Sequence, residues 1–189
     1  RLQRYATDAA MGGAHPYSRA PKTGKRVAVV GAGPAGLACA TTAAQRGHSV
    51  TLFEAETRIG GQLNLARNVP GKEEFDETIA MWRRLIDKHG VTLKLSTRAT
   101  PDLLRGFDKV VIATGVTPRV PDIPGIGHET CVSYIDILSG RARAGRRVAI
   151  IGAGGIGYDV AEFLSSPPAD VAMDPRHFLA EWGVEAANV

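Results

Sequence analysis

Two glycine clusters define the chemistry open to this chain: Gly31-Ala32-Gly33-Pro34-Ala35-Gly36 and, 121 residues later, Gly152-Ala153-Gly154-Gly155-Ile156-Gly157. A dinucleotide pyrophosphate needs backbone N–H donors, a helix N-terminus aimed at it and room for close approach. The GxGxxG spacing offers all three: the first glycine permits the tight turn, the second lets backbone near the phosphates, and the third lets helix and strand pack closely. The helix end supplies roughly half a unit of positive charge, so no lysine is required. Pro34 and Ala35 lie inside the motif, and proline suits the first helical position.

Glu54 lies 18 residues beyond Gly36, close to the ~20 at which an acid accepts hydrogen bonds from the ribose hydroxyls. Its charge would repel a 2′-phosphate, which disfavours NADP at this first site. A glycine-rich turn with a solvent-facing glutamate would carry the same letters. Four conditions favour dinucleotide binding over that plain turn. The motif follows an apolar strand, opens a helix, precedes a second strand, and has the acid in place.

The second cluster has a strand and a helix but no readable acid or arginine. Two readings stay open for it: an NAD(P)H site present only in part at Gly152, Gly154, Gly155 and Gly157, or a glycine turn in an incomplete domain that binds nothing by itself. Ile59-Gly60-Gly61-Gln62 follows Glu54 closely and suits a loop whose backbone passes against a ribityl or adenosine group, or is an ordinary turn. Thr114-Gly115 ends a strand on the edge where ligands sit in open α/β sheets, with a strand-end turn as the alternative. No catalytic residue and no metal ligand is expected. His15, His48, His89, His128 and His177 are scattered and read as surface residues, and no G-x-S-x-G, HExxH or Walker pattern occurs. Trp82 and Trp182 read as helical core.

These motifs need an α/β frame. Arg26 to Val30 is a β-branched run without polar alternation, as for a strand buried on both faces of a parallel sheet. Pro34 to Arg46 reads as a helix stopped by Gly47, and Ser49 to Phe53 as the second strand, completing a βαβ unit. Glu73 to His89 has Phe75, Ile79, Trp82 and Ile86 on one helical face. Val91 to Leu95 alternates as a strand, and Asp108 to Ala113 reads as another buried strand. Pro118, Pro121 and Pro124 mark a connection. Arg147 to Ile151 then repeats the opening strand, with a helix to Ser165 and a stop at Pro167-Pro168. Asp170 to Ala172 is too short to count as a further strand. The expected fold is a Rossmann-type parallel α/β sheet in three parts: an irregular lead-in over 1–24, a dinucleotide-binding domain over 25–120, and a connection with the start of a second nucleotide-binding domain over 121–189.

The net charge of +4 does not indicate nucleic acid. Residues 1–26 hold six basic residues against Asp8, leaving 17 basic and 18 acidic residues for the rest; the excess belongs to this N-terminal tail. No apolar run is long enough to span a membrane. Cys39 and Cys131, with no CxxC pair, exclude a disulfide framework and suit a reducing, cytoplasmic setting. Cys39 reads as a buried small hydrophobe. The start at Arg1 rather than Met suggests a tag or linker.

From Lys25 to about Gly183 the chain resembles the flavin and pyridine-nucleotide portion of bacterial NADPH-dependent 2,4-dienoyl-CoA reductases, Old Yellow Enzyme-like relatives of trimethylamine dehydrogenase. The resemblance rests on Val27 to Ala38, on Ile59-Gly60-Gly61-Gln62 with Asn64, and on the more specific Pro70-Gly71-Lys72-Glu73-Glu74-Phe75. It continues through Ile112 to Gly115, Pro118-Arg119, Ile123-Pro124-Gly125, Val148 to Gly152 and Glu181-Trp182-Gly183. It implies FAD on Gly31, Gly33, Gly36, Glu54, Gly61 and Gln62, and NADPH (or NADH) on Gly152, Gly154 and Gly157. It also implies that FMN, an iron–sulfur cluster and an enoyl substrate reside on a barrel, as a separate domain or subunit, reached by electrons from FAD. The barrel and the cluster cysteines are missing from this chain, and it stops before the segment that returns to the FAD site, so a shortened relative is expected. The first functional expectation is therefore an electron-transfer module of a flavin-dependent oxidoreductase; the rival is a dinucleotide-binding fragment without turnover. A thioredoxin reductase-like role is disfavoured by the missing CxxC.

Overall fold

The computed structural model describes residues 2–11, 20–166 and 174–185. In chain order its elements are α1 (Leu2–Met11), β1 (Arg26–Val30), α2 (Pro34–Gln45), β2 (Ser49–Phe53), α3 (Leu63–Ala66), α4 (Phe75–His89), β3 (Thr92–Lys94), α5 (Pro101–Leu104), β4 (Lys109–Ile112), α6 (Tyr134–Leu138), α7 (Gly155–Ser165) and α8 (Pro175–Glu181). By contact the chain forms two units, one of residues 1–61 and 79–116, the other of residues 62–78 and 117–189.

The first unit is an α/β layer on a four-stranded sheet of order β3-β2-β1-β4. All three pairings are parallel, with Val29 opposite Leu52 on one side and Val111 on the other. Parallel neighbours cannot be joined by a hairpin, so α2 serves as the crossover from β1 to β2. Strand β1 is central, and Val27, Ala28 and Val29 are buried as their unbroken apolar run requires. Leu37, Ala40 and Ala44 of α2 are also buried, and each fully buried leucine here contributes roughly 1.5–3 kcal/mol. Ile79 and Ile86 are the buried face of α4, with Phe75 and Trp82 half-buried beside them.

Several expectations are corrected. The lead-in is not irregular throughout, because Leu2–Met11 is helical. Leu2 and Tyr5 are highly exposed; one short helix that runs into Gly12-Gly13 is too brief to give a sustained pattern along the lead-in. The run from Asp108 to Ala113 gives β4 at the sheet edge, where Val110 is 40% and Ile112 66% exposed. An apolar run predicts burial only if elements cover both faces. Among the described residues Arg147 to Ile151 forms no ladder, and Val148, Ile150 and Ile151 are exposed, since a strand exists only by pairing. His89 is buried at the end of α4, not a surface residue. Trp182 follows α8 with 70% exposure, against the expectation of core. Cys39 is half-buried. His15, Pro167-Pro168 and Asp170 to Ala172 lie outside the described residues.

The second unit has its own small core of Val69, Ile137, Leu138 and Val160. Asn68 strengthens it by donating from Nδ2 to the Leu138 carbonyl at 2.7 Å. No helix among the described residues is long and apolar enough to cross a membrane.

The first unit also fastens its outer strand to β1 by a side chain. Asp108 accepts the Arg26 N–H at 2.7 Å. That bond, aided by the Lys25 and Arg26 charges against a smaller desolvation effect, holds its carboxyl below the ordinary aspartate range. A carboxyl lowered by folding stabilises the fold above its unfolded pKa and loses that contribution as pH falls through the folded value. Denaturation midpoints measured between pH 7 and pH 2 are therefore expected to fall from about pH 4 downward. Asp108→Asn should flatten that part of the profile.

Candidate functional site

The first glycine cluster sits where β1 hands over to α2. Gly31 leaves the strand with φ +101° and donates its N–H to the Phe53 carbonyl at 2.8 Å. A Cβ on Gly31 would overlap the Ala113 carbonyl oxygen, and one on Gly36 would overlap the Gly31 carbonyl oxygen. These two glycines are required by the protein's own packing. Gly33 differs, because a Cβ there would meet only the Gly61 Cα, at 4.0 Å. Its missing side chain leaves open space in front of the helix.

Glu54 is tied into the turn. Its Oε2 accepts the Ala32 N–H at 2.7 Å and its Oε1 the Glu56 N–H at 2.9 Å. Ala32 is fully buried, and its carbonyl accepts the Gly60 N–H at 2.8 Å. A carboxylate offers about four acceptor positions, so the half-buried Glu54 keeps capacity for ribose hydroxyls while it braces the loop. Gly61, at φ +52°, lies so close that a Cβ would come within 2.9 Å of the Gly33 Cα. The Thr114 backbone borders Gly31. Gly31 to Gly36, Glu54, Gly60-Gly61 and Ala113-Thr114 are thus brought together around one turn. Pro34, Ala35, Gln62, Thr114 and Gly115 are exposed; Gly115 has φ +75° and no atom within 4 Å of where its Cβ would be.

In the second unit the glycine turn recurs without its strand ladder. Gly152 has φ +113°, and a Cβ on Gly157 would overlap the Gly152 carbonyl oxygen, the same contact that Gly36 makes with Gly31. Gly154 and Gly155 face open space.

Side-chain caps close three of the helix starts and are missing from both glycine turns, as they are from Gln62 at the start of α3. Thr100, Ser133 and Asp174 close α5, α6 and α8 by accepting backbone N–H groups with their side chains. Helices α2 and α7 begin at Gly33 and Gly154 with no side-chain cap. The first-turn N–H groups of a helix have no partner within it, and a glycine cap leaves them to an anion. A dinucleotide fits this arrangement: a cradle that side chains would fill, an uncapped helix end and a fixed carboxylate at the following strand end. Among the described residues no group of three or more His, Cys, Asp or Glu could hold a metal ion. Sequence reasoning missed the bracing of Ala32 by Glu54; the 22-residue separation is the only signal of it, and it marks the ribose acid equally well.

Residues 25–174 match the pyridine nucleotide-disulphide oxidoreductase family. The chain is 37% identical over 146 residues to a metal reductase of Desulforamulus reducens, covering 74% of this chain and 22% of that protein. It is 36% identical over 152 residues to a cinnamate reductase of Clostridium sporogenes, covering 79% and 22%. Among solved structures, a 2-naphthoyl-CoA reductase in complex with 2-naphthoyl-CoA is similar, with 41% identity and a TM-score of 0.73 over 78% of this chain and 23% of that one. The chain thus spans under a quarter of the length of these relatives. They are oxidoreductases, as the resemblance to dienoyl-CoA reductases implies, and the match holds although this chain has no CxxC pair. By its parallel α/β sheet, its two glycine fingerprints and this match, the chain belongs to the pyridine nucleotide-disulphide oxidoreductase family of FAD- and NAD(P)H-binding enzymes.

Proposed function

We propose that this chain is the electron-transfer module of a flavin-dependent reductase, holding FAD on the first fingerprint and NADPH or NADH on the second. The observation that carries the reading is the first turn, where Gly31 and Gly36 are packed shut, Gly33 is left open, and Glu54 is fixed beside them. Gly31, Gly33, Pro34, Ala35 and Gly36 would bear on the FAD pyrophosphate, Glu54 on its ribose, and Gly61, Gln62, Thr114 and Gly115 on the rest of the cofactor. Gly152, Gly154, Gly155 and Gly157 would receive the pyridine nucleotide.

Bound FAD supplies two-electron acceptance from a reduced nicotinamide. The protein's share is to orient: the uncapped end of α2 draws the pyrophosphate, Glu54 fixes the ribose, and the buried Ala32 keeps the turn rigid. Such chemistry needs positioning more than acid–base groups, consistent with a site built largely from backbone. The substrate would be reduced on a further domain or subunit carrying FMN and an iron–sulfur cluster. This chain's two cysteines cannot furnish the four thiolates of a cluster. An enoyl- or dienoyl-CoA-type substrate is supported by relatives named cinnamate reductase and 2-naphthoyl-CoA reductase. A second reading, dinucleotide binding without turnover, is favoured by the unpaired, exposed Val148 to Ile151 run that leads into the second fingerprint.

The purified chain, supplied with FAD, should show absorption bands near ~370 and ~450 nm that bleach anaerobically on addition of NADPH. Bands that persist would favour binding without turnover, and failure to take up FAD would overturn both readings. Gly33→Ala should weaken FAD binding by about 1–3 kcal/mol while leaving the thermal midpoint unchanged, because the added methyl enters ligand space only. Gly36→Ala should instead lower the midpoint by about 5 °C or more, because the methyl meets the Gly31 carbonyl. Titration calorimetry and thermal melts separate the two. Glu54→Ala should weaken FAD by ~1–3 kcal/mol; an unchanged affinity would count against the ribose assignment.

A further inference from the structure

The most distinctive run of the sequence, Pro70 to Phe75, has no part in the binding geometry above, yet it reaches the helix that follows the second fingerprint. Lys72 Nζ lies 2.6 Å from Asp159 Oδ1, in a pair whose side chains are 37% and 29% exposed. Successive turns present the lysine. Its own N–H donates to the Val69 carbonyl at 3.0 Å, and the Phe75 N–H donates to the Lys72 carbonyl at 3.1 Å. The Gly71 N–H donates to Glu73 Oε1 at 3.0 Å. Val69 anchors these turns, fully buried in a cluster that includes Val160, the residue next to Asp159.

Asp159 is an awkward residue for an anion site. It lies four residues beyond Gly155, the first residue of α7, which places it about 6 Å along the axis at 1.5 Å per residue. A carboxylate there opposes the dianionic pyrophosphate that the helix end attracts. The internal repeat provides the contrast: with Gly157 set against Gly36, the counterpart of Asp159 is Ala38, which is uncharged. Where the repeat carries an acid, the chain brings a lysine to it.

We infer that Lys72 is a positioning residue for the second fingerprint, acting through Asp159 by cancelling that carboxylate's charge so that the helix N-terminus accepts a nicotinamide dinucleotide. The inference rests on the assignment of Gly152 to Gly157 to NAD(P)H made above. Two negative charges facing one at this range, partly screened by water, oppose binding by about tenfold.

The test uses the full chain loaded with FAD and titrated calorimetrically with NADPH and with NADH, FAD uptake and the thermal midpoint reporting on the fold. Lys72→Met should weaken nucleotide binding about tenfold at low salt, with a smaller loss at high salt as the charges are screened. Asp159→Asn alone should bind as well as the unmodified chain, and Lys72→Met combined with Asp159→Asn should return to within about twofold of it, since the opposing charge is then gone. A purely structural lysine predicts the reverse, with the double variant no better than Lys72→Met. That result, or unchanged binding by Lys72→Met, overturns the inference while the NAD(P)H assignment stands. If Lys72→Met does not fold, Asp159→Asn still decides: binding weakened tenfold overturns it and unchanged binding supports it. An unmodified chain that takes up neither nucleotide overturns the assignment and the inference with it.

Discussion

The α-carbon of Gly36 approaches the Gly31 carbonyl so closely that no side chain fits, and Gly157 repeats this against Gly152. The contact fixes the angle at which each helix leaves its turn. The N–H groups of the first helical turn then point into the space in front of the strand end, where a phosphate can meet them. In the first unit the same turn is pressed from a second side, because Gly31 also lies against the Ala113 carbonyl beyond β4. Strand order, crossover helix and site geometry are tied together through two glycines with no spare room.

Glu54 extends this rigidity. Its carboxylate accepts from Ala32 and from Glu56, so the residue that suits a ribose is also a structural brace. A buried amide left without an acceptor costs about 1–3 kcal/mol, and Ala32 is fully buried. An acid at this strand end therefore serves the fold before any ligand arrives. Preorganisation follows: a side chain already held by two backbone donors loses little further freedom when it meets a third partner.

The sequence disclosed what local rules decide. Strand β1, helix α2 and strand β2 follow from an unbroken apolar run, a glycine-capped helix start and a glycine stop, each readable within a few residues. Helix α4 follows from its spacing, with Ile79 and Ile86 buried as expected. What depends on remote partners was not legible. Val110 and Ile112 look like core letters, but their exposure is set by whether another element covers them. The Val148 to Ile151 run looks like a strand and lacks a ladder for the same reason. The grouping of residues 62–78 with the second unit reflects the packing of Val69 against Ile137 and Val160, and nothing in the order of the chain announces it.

The two fingerprints bear unequally on function because they depend unequally on their surroundings. The glycine turn persists in the second unit although its leading strand is unpaired, so the turn is encoded by the contact between first and third glycine and needs no sheet. The proposed ribose contact is different, because an acid can stand at that place only at the end of a paired second strand, as Glu54 does with its N–H on the Lys94 carbonyl. A pyrophosphate cradle is thus a local property of a short sequence, whereas discrimination among nucleotides belongs to the assembled sheet. That ordering explains why dinucleotide chemistry can be read from six residues, while the proposed choice of FAD draws on the family and the second fingerprint, and Glu54 speaks only against a 2′-phosphate.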